Sequence, residues 1–321
     1  MFPYNWLQEA AERIAPYTNR TALTFDPVNQ IYLKWENRQV TGSFKARGAL
    51  NKVLTLSDWE RKRGLVTASA GNHGQGLALA ANQTGARAVI FASEHAVAAK
   101  VEAMRALGAD VHLVAGGYGD AELAGLEYAR STGATWVSPY NDAQVIAGQG
   151  TTGLEIWSDL PKGTPGTWIV PAGGGGLVAG VGAAIQSLQL TSESSPYLVA
   201  VQSEASPFFY DLYHHGSQAA SVELPSLADG LAGPVEPGSL TIPMVKQLVH
   251  DFVLVSEAEI AHAIAYCWRY YQERIEGSAA AALAAVLSER VRQRPAVVLI
   301  SGGNIQPEVH HKIVSENELY G

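Results

Sequence analysis

Short β-branched and apolar runs alternate along the chain with longer segments whose apolar residues recur every three or four positions. Runs of the first kind predict strands at Ile31–Leu33, Leu65–Thr67, Ala88–Phe91, Val111–Val114, Thr135–Val137, Trp168–Val170, Leu198–Val201, Phe252–Val255 and Val297–Ile300. Helical windows lie between them, at His73–Gln83, Ala98–Leu107 and Ala121–Ser131 among others. Alternation with connections this short predicts an α/β protein of parallel sheet covered by helices on both faces. Ser256-x-x-Glu259 reads as a capping box, and it opens a helix on which Ile260, Ile264, Cys267, Trp268 and Tyr271 follow at helical spacing. The stretches Gly163–Gly166 and Gly230–Gly238 read as surface loops. The alternation from about Leu65 to Trp136 is compact enough to form a small domain inserted in a larger one. The expected boundaries are 56–142 for the small domain, with 1–55 and 143–321 forming the large one.

Composition narrows the picture. The 321 residues are 47% hydrophobic, enough for two domains of ordinary size, and only 16% charged. The net charge of -8 and the lack of any basic tract longer than Arg61-Lys62-Arg63 argue against a nucleic-acid partner. One cysteine, Cys267, excludes an intrachain disulfide and fits a reducing, cytoplasmic setting; at its helical position it reads as a core residue. No basic and apolar leader is visible at Met1–Asn5, and no apolar run approaches the roughly 20 residues that span a bilayer, so no membrane partner is expected.

Four loops carry candidate chemistry. Gly173-Gly174-Gly175-Gly176 follows the strand at Trp168–Val170 and precedes the apolar helix Leu177–Leu188. Successive backbone N–H groups and a helix N-terminus make an anion cradle there, suited to a phosphate. The bland alternative is a tight strand–helix turn, which needs one or two glycines rather than four. Thr41-Gly42-Ser43-Phe44-Lys45 opens the helical window Ala46–Leu54. A lone lysine is usually solvated, but one beside Phe44 at a helix start can be desolvated, and then becomes a nucleophile toward an aldehyde. Ser69-Ala70-Gly71-Asn72-His73 joins another strand to another helix, a site suited to a carboxylate, with His73 either a base or a structural histidine. Ser301-Gly302-Gly303-Asn304 ends the strand Val297–Ile300, where Ser301 would present a neutral hydroxyl at the carboxyl edge of the sheet.

Seven motifs occur in one order: Tyr32–Gly48, Thr67–Gly76, Val145–Thr151, Pro171–Gly176, Ala228-Asp229-Gly230, Glu276-Gly277-Ser278 and Ser301–Asn304. Together they resemble the serine/threonine dehydratase and serine racemase group of fold-type II pyridoxal-5'-phosphate (PLP) enzymes, from about Thr21 to Ile305. The resemblance implies two three-layer parallel-sheet domains with the cofactor in the cleft between them. It implies that Lys45 carries the cofactor, Phe44 flanks its ring, and Gly173, Gly174, Gly175 and Gly176 hold its phosphate. Asn72 would meet the ring hydroxyl and Ser301 the pyridine nitrogen. Ser69, Ala70, Gly71, Asn72 and His73 would wrap the substrate carboxylate, with Gly230 and Glu276 lining the pocket. The implied activity is elimination of water from a small β-hydroxy amino acid such as L-threonine or L-serine, giving a 2-keto acid and ammonia. A homodimer is the expectation of the group.

The chain departs from the group in places. Arg20-Thr21-Ala22-Leu23 stands where proline usually follows the threonine. Ala70 stands where the racemases carry a second serine, which matches the dehydratases. Glu204 and Asp211 are out of register with the divalent-cation site of the racemase-like members, so a metal is left open. About twenty residues follow Ser301, too few for a regulatory domain, so feedback by isoleucine is not expected. Alternatives are an amino-acid racemase, a β-hydroxyaspartate dehydratase, a β-replacement enzyme, and a phosphate- or nucleotide-binding protein without catalysis; the last needs neither Lys45 nor Ser301.

Overall fold

The computed structural model describes residues 3–162, 166–189 and 195–318. Strands β1 (Leu23–Asp26) and β2 (Ile31–Trp35) come first, then β3 (Leu65–Ala68), β4 (Ala88–Ser93), β5 (Asp110–Val114) and β6 (Thr135–Trp136). They are followed by β7 (Thr167–Pro171), β8 (Tyr197–Ser203), β9 (Asp251–Val255) and β10 (Ala296–Ile300). Two sheets result, one in the order β1-β2-β10-β7-β8-β9 and one in the order β5-β4-β3-β6. Every pairing is parallel except β1 with β2. The nine expected strands are present. β1 was not expected, and it adds an antiparallel edge to an otherwise parallel sheet. Its four residues are half-buried, exposed, exposed and buried in turn, so no apolar run marks it. A four-residue turn makes it, in which Asp26 accepts from the Val28 N–H and the Asn29 amide while Gln30 adopts φ 55°.

Helices cover both faces of each sheet. The helix Gly277–Leu287, with alanine at six of its 11 positions, lies buried up to Val286 under the six-stranded sheet beside the helix Glu257–Tyr271. The expected capping box opens the latter, and Cys267 is buried in it with its thiol pKa pushed up by desolvation. The helix Gly176–Gln189 covers the opposite face. Of the expected loop at Gly163–Gly166, residues 163–165 lie outside the described residues.

The helix Lys45–Thr55 lies between the two sheets, where its apolar face joins Leu77 and Ala78 of the helix Asn72–Thr84. It also crosses the helix Ala143–Asp159 at close range. A Cβ at Gly148 would stand 2.6 Å from the Arg47 carbonyl oxygen and 2.6 Å from the Gly48 Cα, so the crossing requires glycine. Arg47 then ties this helix to its surroundings through buried charge. Its guanidinium donates 2.8 Å bonds to both oxygens of Glu36 and bonds of 2.8 and 2.9 Å to Glu155, which Lys34 also meets at 2.6 Å. The Glu36 carboxylate further accepts from the Thr21 hydroxyl at 2.5 Å. Lys34, Glu36 and Arg47 are all at most 1% exposed, so each charge depends on its partners.

Candidate active site

The start of the Lys45 helix is stitched to the end of β10. The Phe44 N–H donates to the Ser301 carbonyl at 3.0 Å, Ser43 bridges Gly302, and the Gly303 N–H donates to the Gly42 carbonyl at 2.9 Å. Two motifs more than 250 residues apart thus form one hydrogen-bonded unit. Lys45 Nζ stands 5.2 Å from the centre of the Phe44 ring and donates to the Pro139 carbonyl at 3.0 Å. Pro139 follows β6 of the other sheet, so the lysine spans the cleft. Desolvation pulls the Lys45 ammonium down to about 8, against the attraction of Glu276.

The glycine loop leaves the carboxyl end of β7. Gly175 has φ +86°, where a side chain would be strained, and a Cβ there would lie 2.6 Å from the Phe209 ring. The Thr241 hydroxyl donates to the Gly174 carbonyl at 2.7 Å and fixes the loop. A Cβ on Gly174 would overlap the Tyr140 ring, and one on Gly173 would lie 3.0 Å from the Leu231 Cα. The loop therefore leaves room for backbone contacts alone, ending at the first turn of the helix Gly176–Gln189.

The asparagine loop follows β3 and reaches across to the large sheet. Asn72 Nδ2 donates to Glu276 at 2.7 Å, and Asn72 Oδ1 accepts from Asn304 Nδ2 at 2.7 Å. Asn304 also donates to the Thr41 carbonyl at 2.8 Å. The side chain of His73 turns away into the small sheet, where its Nε2 lies 3.0 Å from the Val137 carbonyl. Burial, with help from the Lys45 charge, drives its pKa to about 3, so it stays neutral and is no proton donor near neutrality. Glu276 is 6% exposed, and burial plus Asp229 raise its carboxyl to about 7 against the pull of Lys100 and Asn72. Lys100, on the helix Ala98–Ala106 of the small sheet, pairs at 2.9 Å with Asp229 of the large one. Its neighbour Gly230 is exposed and donates its N–H to the Ser278 hydroxyl at 2.9 Å.

A carboxyl whose folded pKa is raised favours folding below its ordinary value near 4.5 and withdraws that contribution as pH climbs toward 7. Glu276→Gln should therefore flatten the fall in stability of the cofactor-free protein between about pH 4.5 and 7. Urea unfolding across that range measures it; an unchanged slope would place the raised carboxyl elsewhere.

A family described as "Pyridoxal-phosphate dependent enzyme" matches residues 11–302. The chain belongs to this family. Its fold is that of the fold-type II enzymes, and its cofactor is pyridoxal phosphate. It is 42% identical over 317 residues to an L-threonine ammonia-lyase of Thermotoga maritima, covering 97% of this chain and 77% of that protein. Among solved structures it is similar to the processed form of threonine deaminase isoform 2 from Solanum lycopersicum. That similarity has a TM-score of 0.88 at 29% identity and covers 97% of this chain and 92% of the other. It is also similar to maize serine racemase, with a TM-score of 0.87 at 30% identity over 99% and 98% of the two chains.

Of the residues singled out in the sequence, Phe44 is bonded to Ser301, Asn72 to Glu276, Glu276 attracts Lys45, and Lys45 bonds Pro139 next to the Tyr140 ring on Gly174, so these loops form one cluster at the carboxyl ends of β3, β7 and β10. Ser69, Ala70 and Gly71 edge it, half-buried. Glu204 and Asp211 are engaged elsewhere, with Arg290 and with the Ser221 hydroxyl. Sequence reasoning gave no role to Tyr140, Thr241, Lys100 or the Asn304 side chain. Asn304 closes a motif already noted. Tyr140 and Thr241 sit in ordinary loop and helix-start sequence, and only packing brings them to the glycine loop.

Proposed function

We propose that the chain eliminates water from a small β-hydroxy amino acid, L-threonine first and L-serine next, releasing a 2-keto acid and ammonia. The observation that carries this is Lys45. Its desolvated amine, held at the Pro139 carbonyl beside the Tyr140 ring that lies on the glycine loop, sits on a chain closely related to an L-threonine ammonia-lyase. The residues fit the cofactor. The glycine loop can carry no side chain, since a Cβ at any of its four glycines would come within 3.0 Å of a packed neighbour, and the lowered Lys45 pKa suits capture of an aldehyde. Gly173–Gly176 would hold the phosphate, Asn72 the ring hydroxyl, Phe44 the ring flank and Ser301 the ring nitrogen.

When bound, the cofactor supplies electron withdrawal that acidifies the substrate α-carbon. The chain supplies the rest. The Ser69–His73 turn offers backbone N–H groups to the substrate carboxylate. The Lys45 amine, when free, would accept the substrate's α-proton. The Ser301 hydroxyl would meet the ring nitrogen as a neutral partner, so the chain would offer no carboxylate there to hold a positive charge. For threonine one water leaves and one returns in hydrolysis, so the net products are 2-oxobutyrate and ammonia.

Two features support elimination over racemisation. Ala70 has no proton to give, and His73 is neutral with its Nε2 at the Val137 carbonyl. Lys100 is paired with Asp229 rather than free for a second substrate carboxylate, which disfavours 3-hydroxyaspartate. The same reading divides the chain into a small domain at 56–142 and a large one from the remainder. It has two copies assemble in the cytoplasm, which light scattering would test for the purified protein.

The deciding experiment measures keto acid and ammonia over a panel of β-hydroxy amino acids, with chiral chromatography of the same mixtures. Faster formation of D-serine than of pyruvate would replace this reading with a racemase. Borohydride reduction and peptide mass analysis should place the pyridoxyl group on Lys45; labelling at Lys34, Lys52 or Lys100 would defeat the assignment. Because the free amine is the reactive form, cofactor capture by the apoprotein should speed up about tenfold per pH unit and level off near pH 8. The glycine cradle has its own test. Gly174→Val and Gly175→Val should each weaken cofactor binding by on the order of tenfold or more, since a side chain would run into the Tyr140 or Phe209 ring and push the loop out of shape. Unchanged affinity in both would contradict the cradle.

A further inference from the structure

Tyr140 stands in a loop that the sequence left without a role. Its ring lies on Gly174, at the point where a Cβ would overlap it, and its own Cβ is 2.9 Å from where a Cβ on Gly176 would stand. It thus covers two of the four cradle glycines. The preceding residue is Pro139, whose carbonyl receives the Lys45 ammonium at 3.0 Å. The phenol oxygen accepts from the Glu236 N–H at 2.9 Å. The next residue, Asn141, donates to the Glu236 carboxylate at 2.7 Å and accepts from the Leu240 N–H at 3.0 Å. Leu240 directly precedes Thr241, whose hydroxyl holds the Gly174 carbonyl. The segment Pro139–Asn141 therefore touches the lysine end of the cleft, the glycine cradle and the loop that braces the cradle.

We propose that Tyr140 is a positioning residue for the cofactor, its ring forming a wall of the phosphate cradle while its neighbour Pro139 parks the Lys45 amine. The inference rests on the reading of Gly173–Gly176 as the phosphate site. A glycine loop without side chains has few packing contacts of its own, and a flat aromatic face restricts it without occupying the anion's space. Thr241 holds the loop from one carbonyl; Tyr140 holds it over the surface of two residues. The phenol also stays protonated, because burial lifts its pKa to about 12. No charge therefore develops beside the phosphate at working pH.

Cofactor titration of the apoprotein, followed by absorbance and by phosphorus NMR of the bound phosphate, tests the role in three proteins: wild type, Tyr140→Phe and Tyr140→Leu. Tyr140→Phe keeps the ring and should bind within about threefold of wild type with the same phosphate resonance. Tyr140→Leu should bind on the order of tenfold more weakly, with a shifted or broadened resonance, while the Tm of the cofactor-free form stays close to wild type. Equal affinity and an unchanged resonance in Tyr140→Leu would overturn the proposal. So would Tyr140→Phe losing as much as Tyr140→Leu, since the hydroxyl tie to Glu236, not the ring, would then be responsible. A wild-type chain that takes up no cofactor would instead overturn the reading of the whole site, and the titration separates the two failures.

Discussion

Replacing Lys45 with alanine should abolish formation of 2-oxobutyrate from threonine, lowering turnover by about 10,000-fold or more. Two contributions vanish together: covalent attachment of the cofactor, and proton abstraction by a positioned amine, which by itself is typically worth ~100- to 10,000-fold. The fold should survive, because Lys45 makes one hydrogen bond across the cleft while the helix behind it is held by Arg47 and by apolar packing. Removing the cation also eases the charge-driven part of the depression at His73, whose pKa should rise from about 3. Turnover, the near-ultraviolet absorbance of added cofactor and the Tm of the apoprotein separate the effects. Residual activity above about 1% would mean that another group takes the α-proton.

Arg47→Met should cost on the order of 3–5 kcal/mol of global stability, because it strands Glu36 and part of the Glu155 interaction away from water. The pH dependence gives the sign. In the native protein burial pushes Glu155 up, but Arg47 and Lys34 outweigh it and hold the carboxyl below its ordinary 4.5. A depressed carboxyl adds stability above its unfolded value and loses it as pH falls through the folded one. Without Arg47 the Glu155 carboxylate should take up a proton at higher pH. The deficit against wild type should then be largest near neutrality and shrink in acid. Denaturant unfolding at several pH values measures it, and Arg47→Met combined with Glu36→Gln should recover part of the loss. A deficit below about 1 kcal/mol would show that the network is not stabilising as a unit.

Much of this molecule was legible in its sequence, because strand and helix signals are local. The β-branched runs, the glycine turns after β3, β7 and β10 and the Ser256–Glu259 capping box depend on neighbours a few residues away, and each appears where expected. The cofactor followed from the resemblance of seven ordered motifs to one family of PLP enzymes, since each loop taken singly left a plain structural reading open. β1 escaped because a solvated edge strand carries no apolar run, and its pairing depends on a turn.

Tertiary structure decided the contacts that give the site its electrostatics. The Asn72 amide meets Glu276 across 204 positions and Asn304 across 232, and nothing periodic in the chain encodes either distance. The raised pKa of Glu276 likewise depends on burial and on Asp229, opposed by Lys100, the two arriving from different sheets. His73 lost its place as a candidate base once packing turned its ring toward Val137. Residue type and local spacing determined which loops could bind a phosphate and a carboxylate. The packing of the two sheets determined which side chains share that space, because burial and charge act over a few ångströms in space without regard to separation along the chain.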